Sequence, residues 1–211
     1  HQPAHRIPAY RAAIDEIKVF DEPVPGALRE ALPIDAPAGG EAMEEVLRDF
    51  RELIVPGLTH WNHPAFYGYF AITSSGPGIL GEMLTAALNV NAMVWRSSPA
   101  ATELEDVSTD WLRRLLGLPA GFEGVINDTA SSSTLHALAA AREVAFPGVR
   151  RTGLAGRSLG RVYGSAHAHS SVEKAVLTLG LGSDGYLGVE VDEVYAMNPV
   201  ALRAAIEADV A

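Results

Sequence analysis

Two short runs carry the residue types best suited to chemistry. In the first, Asp128, Thr129, Ala130, Ser131, Ser132 and Ser133 stand where an apolar run, "GVIN", meets the alanine-rich "HALAAAR". A helix starting here would point the unpaired N–H groups of its first turn outward, and its dipole would favour an anion there. Thr129 and Ser131 would add hydroxyl donors, and the small side chains would let a phosphate approach the backbone. The same letters also describe an ordinary N-cap rich in serine, and Asp128 argues against an anion unless its carboxylate points away. The residues alone leave both readings open. The second run, "YGSAHAHSS", repeats the grammar: a strand ends, His167 and His169 follow, and serines open a helix. Two residues apart in extended chain, the histidines share a face. With no carboxylates beside them they make a thin metal pair; a histidine here can instead lie flat on an aromatic ring, or be a loop histidine that merely hydrogen-bonds locally.

A third run, "HWNHPAFYGYFAITSSGPG", is aromatic and has no helical period, so an ordered loop is expected. His60 and His63 have a spacing that ligates a metal only on a helix, which Pro64 opposes. Trp61, Phe66, Tyr67, Tyr69 and Phe70 suit packing or the wall of an apolar pocket. No GxSxG, HExxH, GxGxxG or Walker sequence occurs, and Ser132 and Ser133 belong to no recognisable triad order.

The elements that must position these residues read in order. Residues 8–19 are weakly helical, and three prolines in "DEPVPGALREALP" follow. Residues 41–54 carry Met43, Val46, Leu47, Phe50, Leu53 and Ile54 at helical spacing, closed by Pro56 and Gly57. Another helix is expected over 78–89. From Ser98 as N-cap and Pro99 as first residue, the stripe Leu104, Val107, Trp111 and Leu115 predicts a helix that Gly117 and Pro119 stop. Strand and helix then alternate. "GVIN" precedes a helix over 131–145, "RVYGSA" precedes "SSVEKAVLTLG", and "VEVDEVYAM" precedes a helix capped by Asn198 and opened by Pro199. Alternation predicts an α/β domain with a mainly parallel sheet, whose ligands sit at the carboxyl ends of its strands. The last helix runs to Ala211 with no stop signal, and three strands are few for so many helices. The expectation is a portion of a longer polypeptide.

Composition narrows the function classes. The chain has 211 residues, with 16 basic against 26 acidic side chains and a formal net charge of −10. An acidic surface repels phosphate backbones, so nucleic acid is not an expected partner. The absence of cysteine excludes disulfides, thiolate catalysis and thiolate-bound zinc, and fits a reducing cytoplasm. The longest apolar stretch, "GILGEMLTAALNVNAMVW", holds Glu82 and two asparagines and reads as a buried helix rather than a membrane span.

Five segments occur together in order: "PGLTHWNHPAFYGYF", "SSGPGILGEMLTAALNV", "WRSSPAATELEDVSTDWL", "GVINDTASSSTLHALAAAR" and "HAHSSVEKA". Over roughly residues 15–211 the chain resembles the pyridoxal-phosphate-dependent group II decarboxylases of the aromatic-L-amino-acid decarboxylase type. The resemblance implies the type I aminotransferase-like α/β fold. Residues 1–77 would form a mostly helical arm with the aromatic loop, and 78–211 the first part of a large cofactor-binding domain. It implies pyridoxal 5'-phosphate as cofactor, an amino acid substrate, and a homodimer with shared active sites. Thr129, Ala130 and Ser131 match the family's phosphate-binding turn, and His169 matches the histidine that stacks on the cofactor ring and contributes to catalysis. Trp61, Tyr69, Phe70 and Ile72 match substrate-pocket positions. Asn91 and Met93 match positions that reach the neighbouring subunit's pocket.

The chain also departs from that pattern. The family's cofactor-bearing lysine follows an asparagine-proline-histidine run, and the aspartate facing the ring nitrogen precedes an alanine pair. Neither motif occurs, and the only lysines are Lys18 and Lys174. Lys174, inside "HSSVEKA", matches a position that is not the cofactor lysine. A complementary C-terminal portion is the partner this implies; a binding or assembly module without catalysis is the competing expectation. Asp128 stands where glycine is common, Ala71 and Ile72 replace a proline-threonine pair, and Ala166 and His167 replace an acidic-amide pair. These departures leave the substrate open and keep the aldehyde-forming branch of the family in play.

Overall fold

Helix ends in this chain are written by local side chains, and the described residues, 8–158 and 160–210 of a computed structural model, follow them closely. The chain divides into two compact units between Val90 and Asn91.

In the first unit the opening helical run is shorter than its pattern suggests: residues 8–12 are helical and a 3-10 turn spans Ile14–Glu16. Helix α1 is Ala27–Ala31 and α2 is Met43–Asp49. The expected helix over 41–54 exists but changes pitch. It continues from α2 as a π turn over Phe50–Ile54, in which the Val55 N–H donates to the Phe50 carbonyl, and ends as a 3-10 turn over Val55–Gly57. Pro56 has no N–H to extend the ladder. Helix α3, Gly76–Leu88, starts two residues before its expected position. Ser75 Oγ accepts the Gly78 N–H at 3.1 Å, and Asn89 closes the helix in the left-handed conformation at φ 46°.

The second unit begins with α4, Pro99–Leu115. Ser98 occupies the N-cap position, but its hydroxyl makes no capping bond; its carbonyl accepts both the N–H and the hydroxyl of Thr102, each at 3.1 Å. The other end follows its sequence signal. Gly117, at φ +68°, donates to the Arg114 carbonyl and Leu118 donates to Arg113, which satisfies two orphan carbonyls with a residue that tolerates positive φ. The stripe Leu104, Val107, Trp111 and Leu115 is exposed rather than buried.

Helix α5 is Ala130–Ala145 and α6 is Val149–Thr152. Strand β1, Val162–Ser165, leads through α7, Ser171–Thr178, to β2, Tyr186–Val189. The two strands are parallel, with Val162 opposite Tyr186 and Ser165 opposite Val189. This is a βαβ unit, as the alternation predicts. Gly164 has to be glycine: a Cβ there would lie 2.7 Å from the hydroxyl of Tyr186, which crosses over it to donate to the Ser165 carbonyl at 2.9 Å. Helix α8, Pro199–Val210, opens as expected, with Asn198 Oδ1 accepting the N–H groups of Val200 and Ala201. Its Asp209 is tied back to β1 by Arg161 and by the Tyr163 hydroxyl at 2.7 Å.

Two strand expectations are corrected. "GVIN" is extended but pairs with no strand among the described residues; Val125 and Ile126 are exposed, and the Ile126 N–H goes instead to Glu105 Oε1 at 2.7 Å. "VEVDEVYAM" contributes only its first residue to a strand, because β2 ends at Val189. Beyond it Asp192 builds a turn: its Oδ1 accepts the N–H groups of Val194 and Ala196, and Val191 bridges back to Met197. A local carboxylate thus outcompetes the ladder that the β-branched residues favour.

The core of the second unit lies around α7. Val149, Ala175, Val176, Leu179, Leu181 and Val189 are its buried apolar residues. Helix α5 packs on α7 through a half-buried face that includes Leu135, Leu138, Ala139 and Arg142. Arg142 Nη1 donates to the Leu179 carbonyl at 2.7 Å, placing a cation at the end of α7. Among the described residues no helix is long and apolar enough to cross a membrane.

Candidate active site

The hydroxyl-rich start of α5 forms the N-cap that its sequence allows. Thr129 is a genuine N-cap: its Oγ1 accepts the Ser132 N–H at 3.1 Å, and Ser132 Oγ accepts the Thr129 N–H at 3.2 Å. This reciprocal capping box uses up the Thr129 hydroxyl that would otherwise point at a ligand. It leaves untouched the N–H groups of Ala130 and Ser131, which have no intrahelical acceptor. Ser131 is exposed, and Ala130 has only a methyl side chain. Two outward amides, one hydroxyl and the positive end of a sixteen-residue helix are a donor set that fits a phosphate.

Asp128 is the discordant group. Its Oδ1 takes the Ser132 Oγ–H, which turns that oxygen into the first turn of α5. That hydrogen bond holds its carboxyl below the ordinary aspartate range, with smaller help from the backbone amides and His136. Because the folded value lies below the unfolded one, the charge stabilises the fold above the unfolded value. The benefit is lost as the pH falls through the folded value. Asp128→Asn is therefore expected to lower the urea midpoint at neutral pH. The difference from the parent should close in acid, below the ordinary aspartate range. A gap that stays constant from neutral pH into acid would remove the charge from the account.

Strand β1 delivers the histidines, and the structure separates them. The His167 ring meets Tyr195 edge-on, with centroids 5.4 Å apart and planes at 73°. Tyr195 stands on the Asp192 turn with φ +62°. His169 turns toward α7, where its Nδ1 lies 3.0 Å from Ser171 Oγ and accepts the Ser171 N–H at 3.2 Å. The two rings do not converge on one point as a metal pair would. Ser171 is a buried polar residue that sequence reasoning missed. The available signal was a hydroxyl two places after a histidine at a helix start.

In the first unit the aromatic loop is ordered, as expected. Asn62 Oδ1 accepts the Ser74 N–H at 2.9 Å, and Arg11 donates to the Ser74 carbonyl and hydroxyl, so both ends of the loop are tied. His60, weighed from sequence as a weak ligand, is buried. Its Nδ1 lies 2.8 Å from the Tyr10 hydroxyl and its N–H donates to the Val19 carbonyl. Burial raises the Tyr10 phenol above its ordinary value. Trp61 and Tyr69 stack with planes 1° apart and centroids at 5.5 Å, and Phe66 stacks on Trp61 at 5.0 Å. Tyr69 holds this place at φ +55°, a conformation rare for a bulky residue and frequent at functional positions. Phe70 and Ile72, expected in the same wall, are as exposed as Tyr67 and Tyr69 but stack on no ring among the described residues. Among the described residues the stack comprises Trp61, Phe66 and Tyr69.

Asn91 and Met93 lie on one tight turn of the second unit. Asn91 Oδ1 accepts the Met93 N–H at 2.9 Å, and Ser97 Oγ donates to the Asn91 carbonyl at 2.7 Å. The Met93 side chain is left exposed.

Comparison with known proteins places the chain in a family. Residues 25–211 match the pyridoxal-dependent decarboxylase conserved domain. Tyrosine decarboxylase of Oryza sativa subsp. japonica is 40% identical over all of this chain and 41% of its own length. Phenylacetaldehyde synthase of a Rosa hybrid cultivar is 36% identical over 99% of this chain and 42% of its own. A crystal structure of Oryza sativa TDC with PLP and tryptamine superposes with a TM-score of 0.90 at 30% identity. It covers all of this chain and 47% of that one. The chain thus spans less than half the length of the relatives it matches. The α/β architecture is that of fold type I, and this chain belongs to the pyridoxal-dependent decarboxylase family.

Proposed function

We propose that these residues supply the phosphate seat, the ring-stacking histidine and much of the substrate wall of an L-amino-acid decarboxylase acting on aromatic amino acids. Pyridoxal phosphate, when bound, supplies an electron sink for the charge left by the departing carbon dioxide. The Ala130 and Ser131 amides with the Ser131 hydroxyl hold its phosphate. His169 lies against its ring and carries a proton on Nε2, the nitrogen that Ser171 leaves free. Trp61 and Tyr69 offer flat apolar faces to a substrate side chain, and Phe70 and Ile72 extend that wall when it is covered. In this reading the protein is a cytoplasmic homodimer with shared sites, and Asn91 and Met93 reach the partner's pocket. Neither Lys18 nor Lys174 bears the cofactor; that lysine comes from outside these residues, so this portion alone is inactive.

The observation that carries the proposal is the pair of unsatisfied amides at the start of α5, in a chain whose relatives include tyrosine decarboxylases. To test it, the complete polypeptide is purified with pyridoxal phosphate and offered tryptophan, tyrosine, phenylalanine, dopa, histidine and glutamate. Visible absorption by bound cofactor, with carbon dioxide and an aromatic amine, is expected. Absence of both cofactor signal and carbon dioxide from every substrate would refute the reading.

A second reading rests on the match to phenylacetaldehyde synthase. Hydrogen peroxide and ammonia among the products would identify that oxidative branch.

A further inference from the structure

His169 and Ser171 face each other at the entrance to α7. Two donors of Ser171 converge on one nitrogen of His169: its hydroxyl at 3.0 Å and its backbone N–H at 3.2 Å. A backbone amide can only donate. Nδ1 therefore presents its lone pair, and the hydrogen of the neutral ring sits on Nε2. With Nδ1 an acceptor, the Ser171 hydroxyl is a donor as well. Ser171 is 7% exposed, and among the described residues its hydroxyl has no other partner. Its placement is also set by the fold. Ser171 is the first residue of α7, so its N–H is one of the orphan donors that every helix start must satisfy.

The geometry points to Ser171 as the positioning residue of the site: it fixes His169 in the Nε2–H tautomer and prevents the ring from turning over to offer Nδ1. This rests on the reading of His169 as the group that lies on the cofactor ring. The physical logic is general for histidine, whose reactive nitrogen is chosen by the hydrogen bond the other one makes. Without the hydroxyl, the amide alone holds Nδ1 at a longer distance, and a flipped or Nδ1–H ring becomes populated. A flipped ring still stacks on a flat ligand. Loss of Ser171 should therefore reduce turnover rather than substrate binding. His167 cannot substitute, because its ring is engaged edge-on with Tyr195.

The experiment is nitrogen-15 NMR of histidine-labelled complete polypeptide, with the His169 signals identified by their loss in His169→Gln. The parent protein should show His169 as the Nε2–H tautomer. In Ser171→Ala the Nδ1–H form should appear beside it, kcat should fall about tenfold, and KM for the amino acid should stay within about twofold. Ser171→Thr, which restores a hydroxyl, should recover the tautomer and the rate. An Nδ1–H ring in the parent protein overturns the proposal, even if Ser171→Ala fails to fold. So does a Ser171→Ala protein with unchanged tautomer, or with a shifted tautomer and unchanged kcat. If the tautomers behave as stated but the parent turns over no amino acid, the decarboxylase reading fails and the tautomer assignment stands.

Discussion

His169→Phe in the complete polypeptide should lower amine formation about 10²- to 10⁴-fold while leaving the bound cofactor's visible absorption in place. Phenylalanine keeps a flat ring that can lie on the cofactor and removes both nitrogens. It separates stacking from proton handling, which His169→Ala would remove together. The effect should be large because Nδ1 is already committed to Ser171, so Nε2 is the one nitrogen left to carry a proton at that position. His169→Gln gives the opposite split: a polar N–H remains but the aromatic face is gone, and cofactor affinity should fall along with turnover. Steady-state amine production and cofactor titration by absorbance measure the two arms. Turnover of His169→Phe within about twofold of the parent would show that the ring nitrogen does no chemistry.

Val176→Asp should abolish cooperative unfolding of the second unit, measured by near-ultraviolet circular dichroism during urea titration. Val176 has no exposed surface at all and is one of six buried apolar residues among those described. There is no slack around it: a Cβ added to Gly185 would lie 3.3 Å from Val176 Cγ1 and 2.9 Å from Leu181 Cβ. A carboxylate there would be buried with no partner, a cost that a core this thin cannot absorb. Val176→Ala removes only two methyl groups and should cost about 2 kcal/mol while keeping a cooperative transition. The contrast between the two variants is the test. If Val176→Asp unfolds at the parent's urea midpoint, α7 is not the centre of the core. Because α7 also carries Ser171, loss of its packing should release His169 as well.

The candidate site was legible to very different degrees. A helix start is a local event, so the cap could be read from small hydroxyl residues before an alanine run; Thr129, Ala130 and Ser131 could be named as phosphate contacts only through the family resemblance. Their division of labour could not: Thr129 is consumed by the cap, and Ser131 is not. His169 was named, but Ser171 was not, since its role depends on which way an imidazole turns. His60 was read as a weak ligand and is a buried anchor, because its partner Tyr10 lies fifty residues away in sequence. Phe70 and Ile72 share the composition of the aromatic wall without sharing its stack.

The same boundary runs through the fold. By itself the sequence determined some helix ends: Asn198 caps α8 and Gly117 stops α4, because these acts need only neighbours a few residues away, whereas Ser98 makes no capping bond. It also carried enough ordered segments to identify the family. Only the tertiary structure decided which apolar runs are strands. Tyr186–Val189 pairs with Val162–Ser165, whereas "GVIN" has comparable letters and no partner strand among the described residues. Only the tertiary structure decided that His167 goes to Tyr195 and His169 to Ser171. A helix satisfies its own backbone within a few residues, but a strand and a side-chain orientation are settled by whatever lies across from them.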